Sequence, residues 1–370
     1  MSARIEESES RFAGARARPV PLAGTPAYPV KLFAVLGLIF AAVYANTLFQ
    51  WVTGPDFKAS PVGADAIPSW ELSLIRFSEV FCAALILVFL WLLLLKPWIR
   101  DKRVSWDGML MLCLFSMWVL DPICNYFNFT FMYNAYWINR GSWSSYLPGW
   151  QSPRGSNLPE PFFLMGGIYL WWTTINVLVF AWMMRKLRTW MPGHSVLVHI
   201  PLAYLVICTL DLMLELPACF TGLFAYPGAP AWATIWAGTP HQFPLYETFF
   251  MNFNYTSIGL LRFYRDDKGE SWAERGVGRL NLSAAAKTMV RFFALLGFCN
   301  LSYFIVYFMP YNWMAMQADT FPKYPSYMRY EICGHGTPYA CPSREVPVQS
   351  RHSLAIGPDD PRLSPTARQN

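Results

Sequence analysis

Charged residues are scarce in this sequence, which argues against an ordinary soluble fold. Of its 370 residues only 14% are charged, whereas 54% are hydrophobic and 17% are aromatic. Soluble domains carry roughly 25% charged residues. The sequence has no basic helix and no basic patch interleaved with aromatics, so we expect no nucleic-acid partner. The composition predicts a multi-pass protein of the cell membrane, with membrane lipids around it.

Histidine is also rare, and the motifs of several enzyme classes are missing. The five histidines, none paired at ligand spacing within an apolar run, argue against bis-His haem and histidine-box di-iron sites. There is no Gly-rich phosphate loop and no G-x-S-x-G nucleophile elbow. We therefore expect no metal and no cofactor. Any chemistry would be acid/base work on a lipophilic small molecule.

Seven apolar runs each approach the ~20 residues that a helix needs to cross a membrane. They cover residues 31–52, 72–95, 108–132, 161–184, 196–221, 243–263 and 285–309. The third and sixth carry several polar residues, so six spans is the alternative. The pattern predicts an all-α, polytopic transmembrane helical bundle of about seven spans.

The two ends of the chain differ from this domain of residues 31–309. Residues 1–30 are polar and Pro-rich without a cleavable signal peptide, which predicts a disordered cytoplasmic tail. Residues 310–342 form an external segment, in which Cys333 and Cys341 could form a disulfide or remain free thiols. Residues 343–370 are predicted to be a second disordered tail. The other six cysteines lie in apolar runs, as buried packing residues do.

Lysine and arginine crowd into alternate loops, and this asymmetry predicts the orientation. The N-terminal tail and the second, fourth and sixth loops are basic, whereas the other loops are nearly bare. By the positive-inside rule the N-terminus is cytoplasmic and the C-terminus is outside. The outer connections 53–71, 133–160 and 222–242 are long and aromatic. They form either an aromatic belt on the interface or a lid over a cavity.

Two acids in the fifth run are the most unusual feature of the sequence. Asp211 and Glu215 are four residues apart, so their carboxyl groups share one helical face. A charge near the membrane centre costs roughly 2.5–3.5 kcal/mol on insertion scales. Carboxyl groups buried without a cation tend to take up a proton, and such groups serve as general acids.

Further polar residues lie at the same predicted depth in neighbouring runs. They are Asp121, Asn125 and Asn128 in the third run, Asn176 in the fourth, Glu247 and Asn254 in the sixth, and His241 just before it. The intramembrane acids all fall in the outer half of the membrane. A single polar cavity, open outward and walled by helices two to six, explains this segregation.

Structural roles remain open for part of this set. Arg76 and Glu79 could be only an interfacial ion pair. Asn252 and Asn254 could be hydrogen-bonded between helices, where such bonds contribute about 0.6 kcal/mol. A scaffold whose polar groups only bind helices together is therefore an alternative to a functional cavity.

Three segments resemble the AveC-type spirocyclase family of actinobacterial membrane proteins. They read LDPICNYFNFTF over 120–131, DLMLELPACFTGLFAYPG over 211–228 and FPLYETFFMNFNYTSIGLLRF over 243–263. The resemblance implies stereocontrolled closure of a spiroketal in a polyketide, with dehydration in some members. Both are acid/base reactions through a cationic, oxocarbenium-like species.

The leading hypothesis is accordingly a membrane cyclase or dehydratase of the spirocyclase type. Asp211 and Glu215 would be the acid/base pair, with Asp121 and Glu247 completing the catalytic set. The predicted substrate-binding residues are Asn125, Asn128, Asn176, His241 and Asn254. The second hypothesis is a proton-coupled carrier or binding protein for a lipid or sterol, with the same carboxyl groups acting as protonation switches.

Overall fold

Seven long helices form the body of the protein. A computed structural model describes residues 29–364; the first 28 residues and the last six lie outside it, and with them most of the predicted N-terminal tail. The helices are α1 (Pro29–Thr53), α2 (Ser69–Asp101), α3 (Trp106–Asn125), α4 (Phe162–Trp190), α5 (Val196–Phe220), α6 (Leu245–Phe263) and α7 (Ala284–Ala315). The predicted all-α bundle is confirmed.

Six helices within residues 29–364 are long and apolar enough to cross a membrane. The seventh is α6, which matches the predicted sixth span but carries Glu247, Asn252 and Asn254. These three side chains are buried between helices, so the bundle shields a helix that is too polar to face lipid.

The third span is shorter than predicted, and the prediction of helix over 108–132 is wrong at its end. α3 tightens into a 3-10 helix over Met117–Asn125 and then stops. Pro122 lies inside this stretch and lacks the N–H that a regular α-helix needs there. The Asn125 side chain then accepts hydrogen bonds from the amides of Thr130 and Phe131 at 2.9 Å, which closes the turn.

Three helices contain a π-helical stretch. These stretches are Leu90–Leu95 in α2, Ile168–Trp172 in α4 and Tyr303–Phe308 in α7. A π-helical turn shifts the helical register by one residue and is frequent at functional sites. The stretches in α4 and α7 face each other across the bundle, because Tyr169 and Tyr303 form a hydrogen bond.

The connections at one end of the bundle fold into a cap, made of residues 126–161, 221–244 and 316–364. Two short antiparallel pairs join its parts: β1 (Met132–Tyr133) with β2 (Phe224–Ala225), and β3 (Thr234–Ile235) with β4 (Phe243–Pro244). Trp137, Trp143 and Trp150 are buried inside the cap. The connection 133–160 therefore forms a lid over the bundle, and these three tryptophans do not form an interfacial belt.

The cysteines divide as their positions in the sequence suggested. Cys333 and Cys341 are joined by a disulfide in the cap. The other six are free and buried, which confirms their packing role. The chain from 343 to 364 is irregular, and the Arg351 amide donates to the Gln151 carbonyl of the cap. The predicted disorder of this tail stays a prediction.

Candidate functional site

A cavity of about 150 Å³ lies where α2–α7 meet the cap. Its wall is mostly apolar and aromatic. Three carboxyl groups interrupt that wall, from Asp121 on α3, Glu215 on α5 and Glu247 on α6. A largely apolar pocket with a few converging polar groups is the usual form of a small-molecule site.

Asp211, Glu215 and Glu247 form a compact carboxyl cluster. One carboxyl oxygen from each lies within 4.8 Å of the others. One turn of α5 separates Asp211 from Glu215, and the first turn of α6 brings Glu247 against them. The spacing predicted from the sequence is thus present, and a second helix supplies the third acid.

The three acids of this cluster differ in what surrounds their oxygens. Asp211 is 1% exposed and does not line the cavity. It accepts hydrogen bonds from the Trp172 indole at 3.1 Å and from the Asn252 amide at 2.8 Å. Glu215 and Glu247 do line the cavity, and within the described residues the Oε2 atom of each is buried without a partner. Glu215 and Glu247 are therefore the members of the cluster that a molecule in the cavity would meet, and Asp211 lies behind them.

This cluster could neutralise its charge in two ways. Oxygens within 4.8 Å of one another fit around a hard divalent cation such as Mg²⁺ or Ca²⁺. The same short separation also allows the carboxyl groups to share protons. In carboxyl dyads of this kind, repulsion between the two negative charges keeps at least one group protonated. The two arrangements differ in their chemistry, because only the second retains a transferable proton.

Asp121 forms a second carboxyl site on the cavity wall. Its Oδ1 accepts from the Tyr169 hydroxyl at 2.7 Å and its Oδ2 from the Tyr133 hydroxyl at 2.8 Å. The short 3-10 helix of α3 supplies Asp121, the π-helical stretch of α4 supplies Tyr169, and β1 supplies Tyr133. Burial and the Asp121 charge both raise the pKa of the Tyr133 hydroxyl well above its usual value, so Tyr133 remains a donor.

Tyr307 lies between the two carboxyl sites. Its hydroxyl donates to Glu247 Oε1 at 3.0 Å, and the Cys124 sulfur lies 3.6 Å from the same hydroxyl oxygen. Tyr307 comes from the π-helical stretch of α7 and also lines the cavity. A substrate in this space would meet the carboxyl groups of both sites and the phenolic hydroxyl of Tyr307.

Sequence reasoning missed the carboxyl group next to Asp121. Glu160, the second residue before α4, is 2% exposed and accepts from the Trp118 indole at 3.3 Å. Burial, and next the Asp121 charge, raise the pKa of Glu160 well above its usual value. The tyrosines were also missed, because nothing in their spacing separates a site tyrosine from a packing one. A lone acid closing an aromatic loop was the only signal for Glu160.

None of the five predicted substrate-binding residues lines this cavity. Asn125 closes the turn after α3, and Asn128 accepts from the Phe129 amide. Asn176 donates to the Trp172 carbonyl of its own helix, and His241 stacks on Phe220 with ring centroids 4.3 Å apart. Asn254 accepts from Ser302 on α7 at 2.9 Å, which confirms the interhelical alternative. Their role in substrate binding stays a prediction.

The predicted ion pair is confirmed outside the cavity. Arg76 Nη1 lies 2.6 Å from Glu79 Oε2, and the other oxygen of Glu79 accepts from the Ile138 amide at 2.7 Å. The bond from the Ile138 amide ties α2 to the cap, and both oxygens of Glu79 have a partner.

The cavity also reaches the outer surface of the bundle between α2, α4 and α5. Phe81 of α2 lines the cavity and is nevertheless 49% exposed. Ser78 of α2 and Ala218 of α5 line it on either side of Trp171 and Trp172. An opening in this position faces the surface that lipid would cover, so an apolar molecule could enter from within the membrane.

These features define a class, a helical membrane protein with a capped, carboxyl-lined cavity. The profile described as "Spirocyclase AveC-like" matches residues 101–330, more than half of the chain. The chain therefore belongs to the AveC-like spirocyclase family, which confirms the resemblance seen in the sequence. The matched region contains the carboxyl groups of the cluster and of the Asp121 site, namely Asp121, Glu160, Asp211, Glu215 and Glu247. Searches of curated proteins and of solved structures gave no match.

Proposed function

We propose that this protein is a spirocyclase-type cyclase or dehydratase of the cell membrane, acting on a lipophilic polyketide- or lipid-like substrate. The observation that carries the proposal is the convergence of Asp121, Glu215 and Glu247 on one largely apolar cavity. Membership in the spirocyclase family supports the reaction class. The opening beside Phe81 supports a substrate that partitions into the membrane.

The chemistry needs one proton donor and one proton acceptor on opposite sides of the substrate. A hydroxyl of the substrate adds to its ketone to give a hemiketal. A carboxylic acid then protonates the hemiketal hydroxyl. The C–O bond breaks, a water molecule departs, and an oxocarbenium ion remains. A second substrate hydroxyl attacks that carbon, and a carboxylate takes its proton. The net change is the loss of one water molecule, and dehydration follows the same path with a C–H proton removed instead.

The cavity wall suits this sequence of steps. Carboxylate charge on the wall stabilises the cationic intermediate, and the low dielectric of an apolar pocket strengthens that stabilisation. In this proposal the Glu215–Glu247 pair exchanges a proton with substrate on one side and Asp121 does so on the other. Asp211 is a positioning residue that holds α5 against Trp172 of α4 and Asn252 of α6.

Paired substitutions in α5 test the assignment. Glu215→Gln keeps the shape of the side chain but removes its transferable proton, so we expect product formation to fall by about 10²-fold or more while the folded protein accumulates normally. Asp211→Asn places an amide donor against two existing donors, so we expect a lower melting temperature with part of the activity retained. The measurement is metabolite profiling of a deletion strain complemented with each variant, alongside thermal unfolding of the purified proteins.

The alternatives give different results in the same experiment. In the proposed enzyme, Glu215→Gln causes a precursor heavier by one water to accumulate. Unchanged chemistry with an altered distribution of the compound across the membrane would instead identify a carrier. The proposal also requires protons, and no metal, in the carboxyl cluster. Activity should therefore survive dialysis against EDTA, and loss of activity that Mg²⁺ restores would contradict it.

A further inference from the structure

Glu160 is a buried carboxyl group that the reaction described above does not use. It ends the long cap connection directly before Pro161 and α4. It does not line the cavity. Its neighbours are Trp118, which donates to its Oε2 at 3.3 Å, and the Asp121 carboxyl group, which is close enough for its charge to add to burial in raising the pKa of Glu160.

The 3-10 geometry of α3 explains why both neighbours reach the same glutamate. In a 3-10 helix the side chains at positions i and i+3 eclipse each other. Trp118 and Asp121 are three residues apart in the stretch Met117–Asn125 and therefore point to the same side. A regular α-helix would turn Asp121 about 60° away from this line. The 3-10 turn therefore places both Trp118 and Asp121 next to Glu160.

The other groups near Glu160 are weak acids. Besides Asp121, its charge affects Cys124 of α3, Tyr133 of β1 and Tyr330 of the cap. Ser142 of the cap supplies a further hydrogen bond. Two adjacent carboxyl groups in such surroundings hold one proton between them, because two negative charges at this distance repel strongly.

We propose that Glu160 is a positioning residue that stores the proton which Asp121 delivers to substrate. The inference rests on the proposed function. The pair holds its one proton on Glu160, and Glu160 passes this proton to Asp121 as Asp121 protonates the leaving hydroxyl. The pair thereby gains one negative charge, which the positive charge of the oxocarbenium ion balances. The carboxylate of the Glu215–Glu247 pair takes the proton of the attacking hydroxyl. When that proton returns to Asp121–Glu160, the cycle has released only water.

The test uses the pH dependence of turnover in the full-length protein. Glu160→Gln keeps the size and polarity of the side chain beside Asp121 but has no proton to pass on. We expect turnover to fall by about 10²-fold at neutral pH, and the alkaline limb of the pH profile to move to lower pH. Glu160→Asp should restore part of the rate. Glu71→Gln is the matched control, a buried acid whose partners are Asn134 and Tyr327 and from which we expect no shift.

A second measurement does not depend on activity. Infrared difference spectra of wild type and Glu160→Gln should show the carbonyl band of a protonated carboxylic acid at neutral pH that is present in wild type alone. If this band is present but Glu215→Gln turns over normally, the proposed function fails and the stored proton stands. If Glu215→Gln is inactive while Glu160→Gln matches wild type at every pH, the role of Glu160 is overturned and the function stands. Absence of the band overturns the stored proton directly.

Discussion

At the scale of single residues, the hydrogen-bond partners of each carboxyl oxygen distinguish the carboxyl groups of the cavity wall from those with a structural role. Asp211 and Glu215 look alike in the sequence, four residues apart on one face. In the folded protein the two oxygens of Asp211 accept from Trp172 and Asn252, whereas no N–H or hydroxyl group within residues 29–364 donates to the buried Oε2 of Glu215. A buried polar atom left unpaired costs free energy, typically about 1–3 kcal/mol. Its retention in the cavity wall indicates a use that involves a substrate or a proton.

Glu160 gives a prediction about stability at this scale. Burial, followed by the Asp121 charge, raises the pKa of Glu160, so the folded state favours its protonated form. The stability that this form confers is complete below the unfolded pKa of Glu, roughly 4.3. It is lost as the pH rises through the higher folded pKa. Wild type should therefore lose stability toward alkaline pH more steeply than Glu160→Gln.

The measurement is the melting temperature of both proteins in detergent between acidic and alkaline pH. The two curves should converge at low pH and separate above neutrality, with the variant more stable. Parallel curves would show that Glu160 is not held protonated. Glu71→Gln serves as the control for loss of a buried carboxyl group elsewhere, at the start of α2.

Residue roles were only partly predictable. The sequence predicted Asp121, Glu215 and Glu247 as site residues because an acid in an apolar run is conspicuous. It could not rank Asp211 below them, since Trp172 and Asn252 come from other helices. It also suggested asparagines as substrate ligands, and each of these makes a hydrogen bond to nearby backbone or to α7.

At the scale of helices, the contact between α1 and α7 depends on two glycines. A Cβ atom on Gly37 would lie 1.9 Å from the Phe293 carbonyl oxygen, and one on Gly297 would lie 2.1 Å from that of Phe33. Such contacts are possible only without a side chain, as at other small-residue crossings between membrane helices. The two backbones therefore approach closely along this line.

Gly297→Ala should separate these helices. The added methyl group meets backbone, which cannot rotate away, so we expect a destabilisation of about 1–3 kcal/mol or more. Gly193→Ala is the matched control, because nothing lies within 4 Å of a Cβ atom there. Thermal unfolding of both variants measures the difference. Equal melting temperatures would contradict the close crossing.

Helix content was predictable, but the departures from regular helix were only partly so. Pro122 marks one departure in the sequence of α3, because proline lacks the N–H of a regular α-helix, and the structure has a 3-10 helix there. The π-helical stretches of α4 and α7 have no comparable mark in the sequence. They bring Tyr169 to Asp121 and Tyr307 to Glu247, so the hydrogen bonds of the site depend on the least predictable turns.

At the scale of the whole molecule, orientation links the cap to a compartment. The positive-inside pattern predicts that the cap, with its Cys333–Cys341 disulfide, lies outside the cytoplasm. Lys58 lies in the connection between α1 and α2, and His194 in the connection between α4 and α5; both are exposed. The two positions should face opposite sides of the membrane.

Cysteine labelling tests this topology. Lys58→Cys should react with a membrane-impermeant maleimide in intact cells, whereas His194→Cys should react only after permeabilisation. The six free native cysteines are buried, so wild type provides a low background. Labelling with the opposite pattern would invert the orientation and place the cap in the cytoplasm.

The sequence by itself determined the class of this protein, because the length and apolarity of the helices follow from local composition. The family and the three carboxyl groups of the wall were likewise visible in local segments. Only the tertiary structure decided that Glu215 lies with Glu247, and that Asp121 lies with Glu160, an acid that the sequence did not single out. Side chains from α3, α4, α6, α7 and the cap determine these pairings, and contacts between distant segments leave no periodic signal in the chain.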